Sequence, residues 1–295
     1  MQEIIKQLEI ARAYSGERNY AVYADWLAVV EATVEALPAH LRSMQETGAP
    51  AADTPETQEL WARLRGKYQR HQAQVFDAYA AAFGLLWQAT QDNLAAGEYR
   101  DVLGNIYQEW GSPDTWKGQF FTPYAVARAM ARVQNIPAGV HARVSEVCQR
   151  SDNPLLAAIL LTCSAIPADE RDAGQDLFFN WFLPTLVSDA AFTPATVHDC
   201  ACGSGIMLLA AAATCPRWMI DYGLVQFSGQ DIDYGCVQMA RINCALYGLN
   251  GAHLRWALSV RDAGIIEIDS RPAALLPAPA RVGLPVGQLV LDLVL

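Results

Sequence analysis

From its first residues the chain sets apolar side chains three and four apart, at Ile4, Ile5, Leu8, Ala11 and Tyr14, among charged and amide positions. That period predicts one or two helices over residues 1–36. The following stretch, LPAHLRSMQETGAPAADTPETQ, collects Pro, Gly, Ala and Thr and reads as a linker or loop. A helical period resumes from about Glu56 to Ala96, with an interruption expected near Gly84. The segment EYRDVLGNIYQEWGSPDTWKGQFFTPYAVARAMARV then predicts a short helix, a turn at Gly111-Ser112-Pro113, an aromatic loop, and a helix after Pro123 with Thr122 placed to cap it. Further helices are expected around NPLLAAILLTCSAI and QDLFFNWFLPTLV, the first with Asn153 as its cap and Pro154 at its first position.

At residue 195 the period changes. ATVHDC reads as a strand, SGIMLLAAAAT as a helix, LVQFSGQDID as a strand, YGCVQMARINCALYGL as a helix and AHLRWALSV as a third strand. Strand–helix alternation of this kind argues for a parallel sheet with right-handed crossovers. A Pro-rich loop and a buried-looking strand, QLVLDLVL, follow, and no internal repeat is visible.

Composition narrows the setting. No apolar run reaches the roughly 18–20 uncharged residues that a membrane span requires, and the first residues form a charged amphipathic pattern unlike a signal peptide. A cytoplasmic protein with no membrane partner is expected, and its seven cysteines read as reduced thiols. The net charge is −10; residues 1–110 hold 9 basic and 15 acidic side chains, and residues 111–295 hold 12 and 16. Neither part has the basic excess of a stand-alone nucleic-acid binder, so a grip on phosphates would need a partner or a local patch.

The chemistry concentrates in VHDCACGSGIMLLAAA, residues 197–212. Cys200 and Cys202 lack the second ligand pair of a structural zinc site and the two-residue gap of a redox pair, so small core residues are the expected reading and no metal is expected. A strand, then Gly203-Ser204-Gly205, then a helix is either a tight turn or a place where backbone approaches a ligand. It is not a dinucleotide fingerprint, because position 208 is Leu, nor a P-loop, because no Gly-Lys-Ser/Thr follows. The second strand ends in Gln230-Asp231-Ile232-Asp233. Asp231 there is placed to accept hydrogen bonds from ribose hydroxyls, or else Asp231 and Asp233 cap the next helix.

DCACGSGIMLLAA resembles the Asp-Pro-Ala-Cys-Gly-Ser-Gly motif of adenine-N6 DNA methyltransferases, above all the modification subunit of type I restriction-modification systems. DVLGNIYQEW with KGQFFTPYAVARAMARV is similar to that family's Gly-Gln-Phe-Tyr-Thr-Pro segment, and GQDIDYGCVQMARINCALYGL to its second strand and following helix. The resemblance covers residues 100 to 295. It implies an α/β, Rossmann-like fold for S-adenosylmethionine (SAM) at 111–295, with truncation after the fourth strand left open, a helical insertion at about 145–195 and a helical N-terminal region at 1–110. Gln119, Phe120, Phe121, Thr122, Pro123 and Tyr124 would line the methionine end of SAM, and Asp199 would face its amino group. Ala201, Gly203, Ser204, Gly205 and Ile206 would admit it to the backbone. Asp231 would hold the ribose and Ile232 would lie against the adenine. DNA, a specificity subunit or a C-terminal companion chain are the implied partners.

The sequence departs from the family pattern at several places. Cys200 stands where Pro is usual. Leu258 stands where a polar adenine contact is usual, unless Asp262 serves in its place. LVLDLVL matches the fourth strand, but the Asn-Pro-Pro-aromatic element that holds the flipped base does not occur in the 295 residues. The expectation is therefore an adenine-N6 DNA methyltransferase by ancestry with no catalytic residue assigned in this chain. The alternative is a non-catalytic module on a decayed scaffold.

Overall fold

A computed structural model describes residues 1–111, 121–165, 171–249 and 253–256. The N-terminal part is helical: α1 (Gln2–Ser15), α2 (Asn19–Thr47), α3 (Pro55–Lys67) and α4 (Gln72–Ala95). The periodic residues Ile4, Ile5, Leu8 and Ala11 are the buried face of α1. They share a core with Trp26, Tyr79 and Leu86. Within this bundle the buried Asp25 carboxylate accepts from Lys67 Nζ at 2.7 Å and from the Tyr68 hydroxyl at 2.6 Å.

Two expectations are corrected here. Helix α2 runs through Pro38 to Thr47 and stops only at Gly48, which adopts φ 74 and donates its N–H to Met44 O. The residues after Pro38 are mostly strong helix formers, Ala39, Leu41, Arg42, Met44, Gln45 and Glu46. The loop thus shrinks to the stretch between Thr47 and Pro55. The second break falls at residues 68–71 instead of Gly84, because Tyr68 turns into the core to reach Asp25. Gly84 sits inside α4 with open space around its Cα, and a cost of about 1 kcal/mol does not interrupt a helix anchored by Ala82 and Leu86.

After α5 (Val102–Ile106) and a π-helical turn (Tyr107–Gly111), the chain continues with α6 (Tyr124–Gln134), α7 (Ile136–Arg150), α8 (Pro154–Ala165), α9 (Arg171–Leu177), a second π-helical turn (Phe178–Phe182) and α10 (Leu183–Val187). Asn153 Oδ1 accepts the N–H of Leu155 at 3.0 Å, as its capping position predicts. Thr122, in contrast, does not cap α6. Pro123 takes the capping position in an extended conformation and no side chain bonds the helix start, which leaves Thr122 one residue too far out.

The predicted alternation follows as β1 (Ala195–Asp199), α11 (Ile206–Ala212), β2 (Val225–Asp231), α13 (Tyr234–Leu246) and β3 (His253–Trp256), with a short helix the sequence reading did not expect, α12 (Arg217–Asp221), between α11 and β2. All three strands are parallel, in the order β1-β2-β3, with Asp199 beside Gly229 and Asp231 beside Trp256. Phe178, Phe182 and Leu186 pack into the same core as Val225, Phe227 and α11. The other face of α13 carries Met239, Ile242 and Leu246 into the core of the N-terminal helices. No helix among the described residues is long and apolar enough to cross a membrane.

Candidate functional site

Strand β1 delivers Asp199 to the C-terminal end of the sheet, and β2 delivers Asp231 beside it. The chain leaving β1 stays in register for one more step, because Cys202 N–H donates to Gln230 O at 2.9 Å. It then turns through Gly203 and Gly205, both at positive φ (52° and 89°). Asp231 Oδ2 accepts the Gly203 N–H at 2.9 Å, so the end of β2 fastens the turn after β1. Asp231 Oδ1 accepts from Asp233 N at 2.9 Å. Asp233 in turn caps α13 through Gly235 N and Cys236 N. The capping alternative raised by the sequence therefore holds for Asp233, while Asp231 serves the turn. A carboxylate has about four acceptor positions, so both oxygens of Asp231 can still accept a hydroxyl.

The two glycines answer to packing. A Cβ on Gly205 would stand 3.2 Å from Ala240 Cβ, where α11 meets α13. A Cβ on Gly203 would stand 3.0 Å from the ring of Phe121. That contact brings two segments together that lie far apart in sequence. Phe121 in turn packs on Tyr107, ring centroids 5.8 Å apart. Thr122, Asp199 and Ala201 all line one cavity of about 650 Å³, together with residues of β1, α6, α7 and α11. Its size lies within the range of small-molecule sites. On the other side of the turn Ile232 is 82% exposed.

Some expected residues take other places. Pro123 is the exposed start of α6. The Tyr124 hydroxyl accepts the Tyr99 N–H at 3.1 Å, and Arg100 and Arg128 lie over its ring, so it knits α6 to the segment before α5. Ile206 and Ser204 are buried and could offer a ligand only their backbone. Gln119, Phe120, Leu258, Asp262 and the expected fourth strand lie outside the described residues. Cys200 is exposed and Cys202 buried. Burial, with the nearby Asp231 and Asp199 charges, pushes the Cys202 thiol up to about 12, so it is a protonated core residue. Among the described residues no three metal-binding side chains converge.

Sequence reasoning passed over Asp101 and Asn243. Asp101 caps α5 through Gly104 N, a signal the Asp-Val-Leu-Gly sequence does carry. Its carboxylate also accepts from the Ser204 hydroxyl and from Asn243 Nδ2. No local pattern could announce those partners, because they are distant in the chain.

The N-6 DNA Methylase family model matches residues 184–264. No curated protein matches the chain. Among solved structures, the type I restriction-modification system methyltransferase subunit from Streptococcus thermophilus matches with 13% identity and a TM-score of 0.29, covering 90% of this chain. The chain spans 59% of the length of that subunit. The family match contains the three described strands and the glycine turn: over residues 184–264 this chain is similar to the N-6 DNA Methylase family.

Proposed function

We propose that the Gly203–Gly205 turn, Asp199, Asp231, Ile232 and the segment Phe121–Tyr124 form the SAM site of a Rossmann-like adenine-N6 DNA methyltransferase module. One observation carries this reading: Phe121 lies on Gly203 while Thr122, Asp199 and Ala201 share one cavity. Two family-like segments thus meet at the end of the sheet where the family would bind its cofactor. SAM supplies an activated methyl group on a sulfonium. The chain's part is to hold it. Asp231 accepts from the ribose hydroxyls, Ile232 offers an apolar surface to the adenine, and Asp199 complements the ammonium of the methionine end.

The reading extends to DNA as substrate, to a specificity subunit as partner in a type I restriction-modification assembly, and to the cytoplasm as location. These rest on the sequence resemblance. The Asn-Pro-Pro-aromatic element is not among the 295 residues, so no catalytic role is assigned to any of them; a companion polypeptide or a further C-terminal segment would bring it.

Calorimetric titration with SAM tests the site. Wild-type protein is expected to bind. Asp231→Ala removes a charged acceptor worth on the order of 1.5–3 kcal/mol, which is roughly 10- to 100-fold in affinity. Equal affinity in the two proteins overturns the assignment.

A further inference from the structure

Ser204 is the middle residue of the glycine turn and is fully buried. Two side chains from different elements hold it. Its hydroxyl donates to Asp101 Oδ2, across 103 residues of sequence. Its carbonyl accepts from Asn243 Nδ2 at 2.9 Å. The same Asn243 Nδ2 donates to Asp101 Oδ1 at 2.8 Å, which closes the three residues into a ring. Asp101 Oδ1 also accepts the Gly104 N–H at 2.7 Å. The space is filled: a Cβ on Gly104 would lie 2.0 Å from Asp101 Oδ2 and 2.5 Å from Ser204 Oγ.

Among the described residues, every group that holds the Asp101 carboxylate is a neutral donor. Burial pushes its pKa up, and the three donors pull it back less than burial raises it. A helix cap alone does not call for this. Serine or asparagine caps as well as aspartate does, without placing a charge in the interior. The residue is costly where it stands, and what it reaches is the backbone of the candidate ligand turn.

We infer that Asp101 is a positioning residue for the cofactor turn: with Asn243 it fixes the hydroxyl and carbonyl of Ser204, and so couples the helical N-terminal region to the conformation of Gly203–Gly205 that admits SAM. This rests on the reading of that turn as the SAM site. Three turn residues held in advance lose less freedom when a ligand arrives, which raises affinity without a contact to the ligand.

The test uses the full chain in four forms: wild type, Asp101→Ala, Asp101→Asn and Ser204→Ala. Asparagine keeps the acceptor for Gly104 and Asn243 and can donate to the serine hydroxyl, so Asp101→Asn is the conservative rescue. Amide hydrogen exchange without SAM is read at Gly203 and Gly205, whose N–H groups bond Asp231 and the Cys202 carbonyl. Asp101→Ala and Ser204→Ala are expected to speed exchange there about tenfold or more, with amides of α4 unchanged and Asp101→Asn close to wild type. Calorimetry is expected to show SAM bound about tenfold or more weakly by the two alanine variants and within about threefold of wild type by Asp101→Asn.

Unchanged exchange at the turn overturns the inference, whatever SAM does. Wild type that binds SAM with variants of equal affinity overturns it too. Wild type that does not bind SAM overturns the cofactor reading instead, and the exchange data still decide the tether. If Asp101→Ala fails to fold, Ser204→Ala, which leaves the helix cap intact, decides.

Discussion

Asp101 is a carboxylate that folding moves from water to a site where an amide, a hydroxyl and a carboxamide are its donors. The move raises its pKa above the unfolded value, which for aspartate is about 3.9. Between the unfolded and the folded pKa the native state binds more protons than the unfolded chain, so stability falls as pH rises through that window. Asp101→Asn cannot titrate. Its stability relative to wild type is therefore expected to grow in its favour as pH is raised from about 4 toward neutral, measured by urea unfolding at several pH values. Parallel profiles for the two proteins would show that the carboxylate is not held as described. The cap itself was written in the sequence, since Asp before a helical run is a start signal. The link to Ser204 was not, because it depends on where α5 and α11 meet.

Helix α4 shows how an element overrides a local breaker. Gly84 is a poor helix former, and a sequence reading puts the interruption there. The tertiary core instead holds Ala82 and Leu86 on one face of a continuous helix and turns the chain at Tyr68. Gly84 is exposed, and a Cβ there meets nothing within 4 Å. Gly84→Ala is thus expected to stabilise the protein by about 0.5–1 kcal/mol, read from the midpoint of denaturant unfolding. A loss of stability would mean that the helix bends or opens at that residue. Pro38 teaches the same lesson from the other side: strong helix formers after it carry α2 on, and only Gly48, free to take the left-handed conformation, ends it.

For the whole molecule the decisive feature is that α13 belongs to two cores, with Cys244 and the C-capping Tyr247 packed against the sheet side and Met239 and Ile242 against the N-terminal helices. The buried Gln238 donates to Glu31 of α2 at 2.7 Å across the same junction. The charge of −10 gives the molecule little general attraction for a polyanion. Tritiated methyl transfer from SAM to adenine-containing duplex DNA is accordingly expected to stay at background with these 295 residues alone and to appear only when an Asn-Pro-Pro-aromatic element is supplied, on a second polypeptide or as a C-terminal extension. Incorporation by the chain alone, abolished by Asp231→Ala, would reveal a catalytic group that the sequence comparison missed.

By itself the sequence determined the period of β1, α11, β2, α13 and β3, the glycine turn and the acidic end of β2, because these are local: alternation, positive φ and strand ends are properties of neighbouring residues. It also carried the likeness to the N-6 DNA Methylase family, since that signal lies in a contiguous stretch. Tertiary structure alone decided that Phe121 sits on Gly203, that Asp231 bonds the turn, that Thr122 lines a cavity and does not cap α6, and that Asp101 reaches Ser204. Those contacts join residues from 28 to 103 positions apart. Their formation depends on how whole helices pack, and packing is set by complementary surfaces that no single stretch of chain contains.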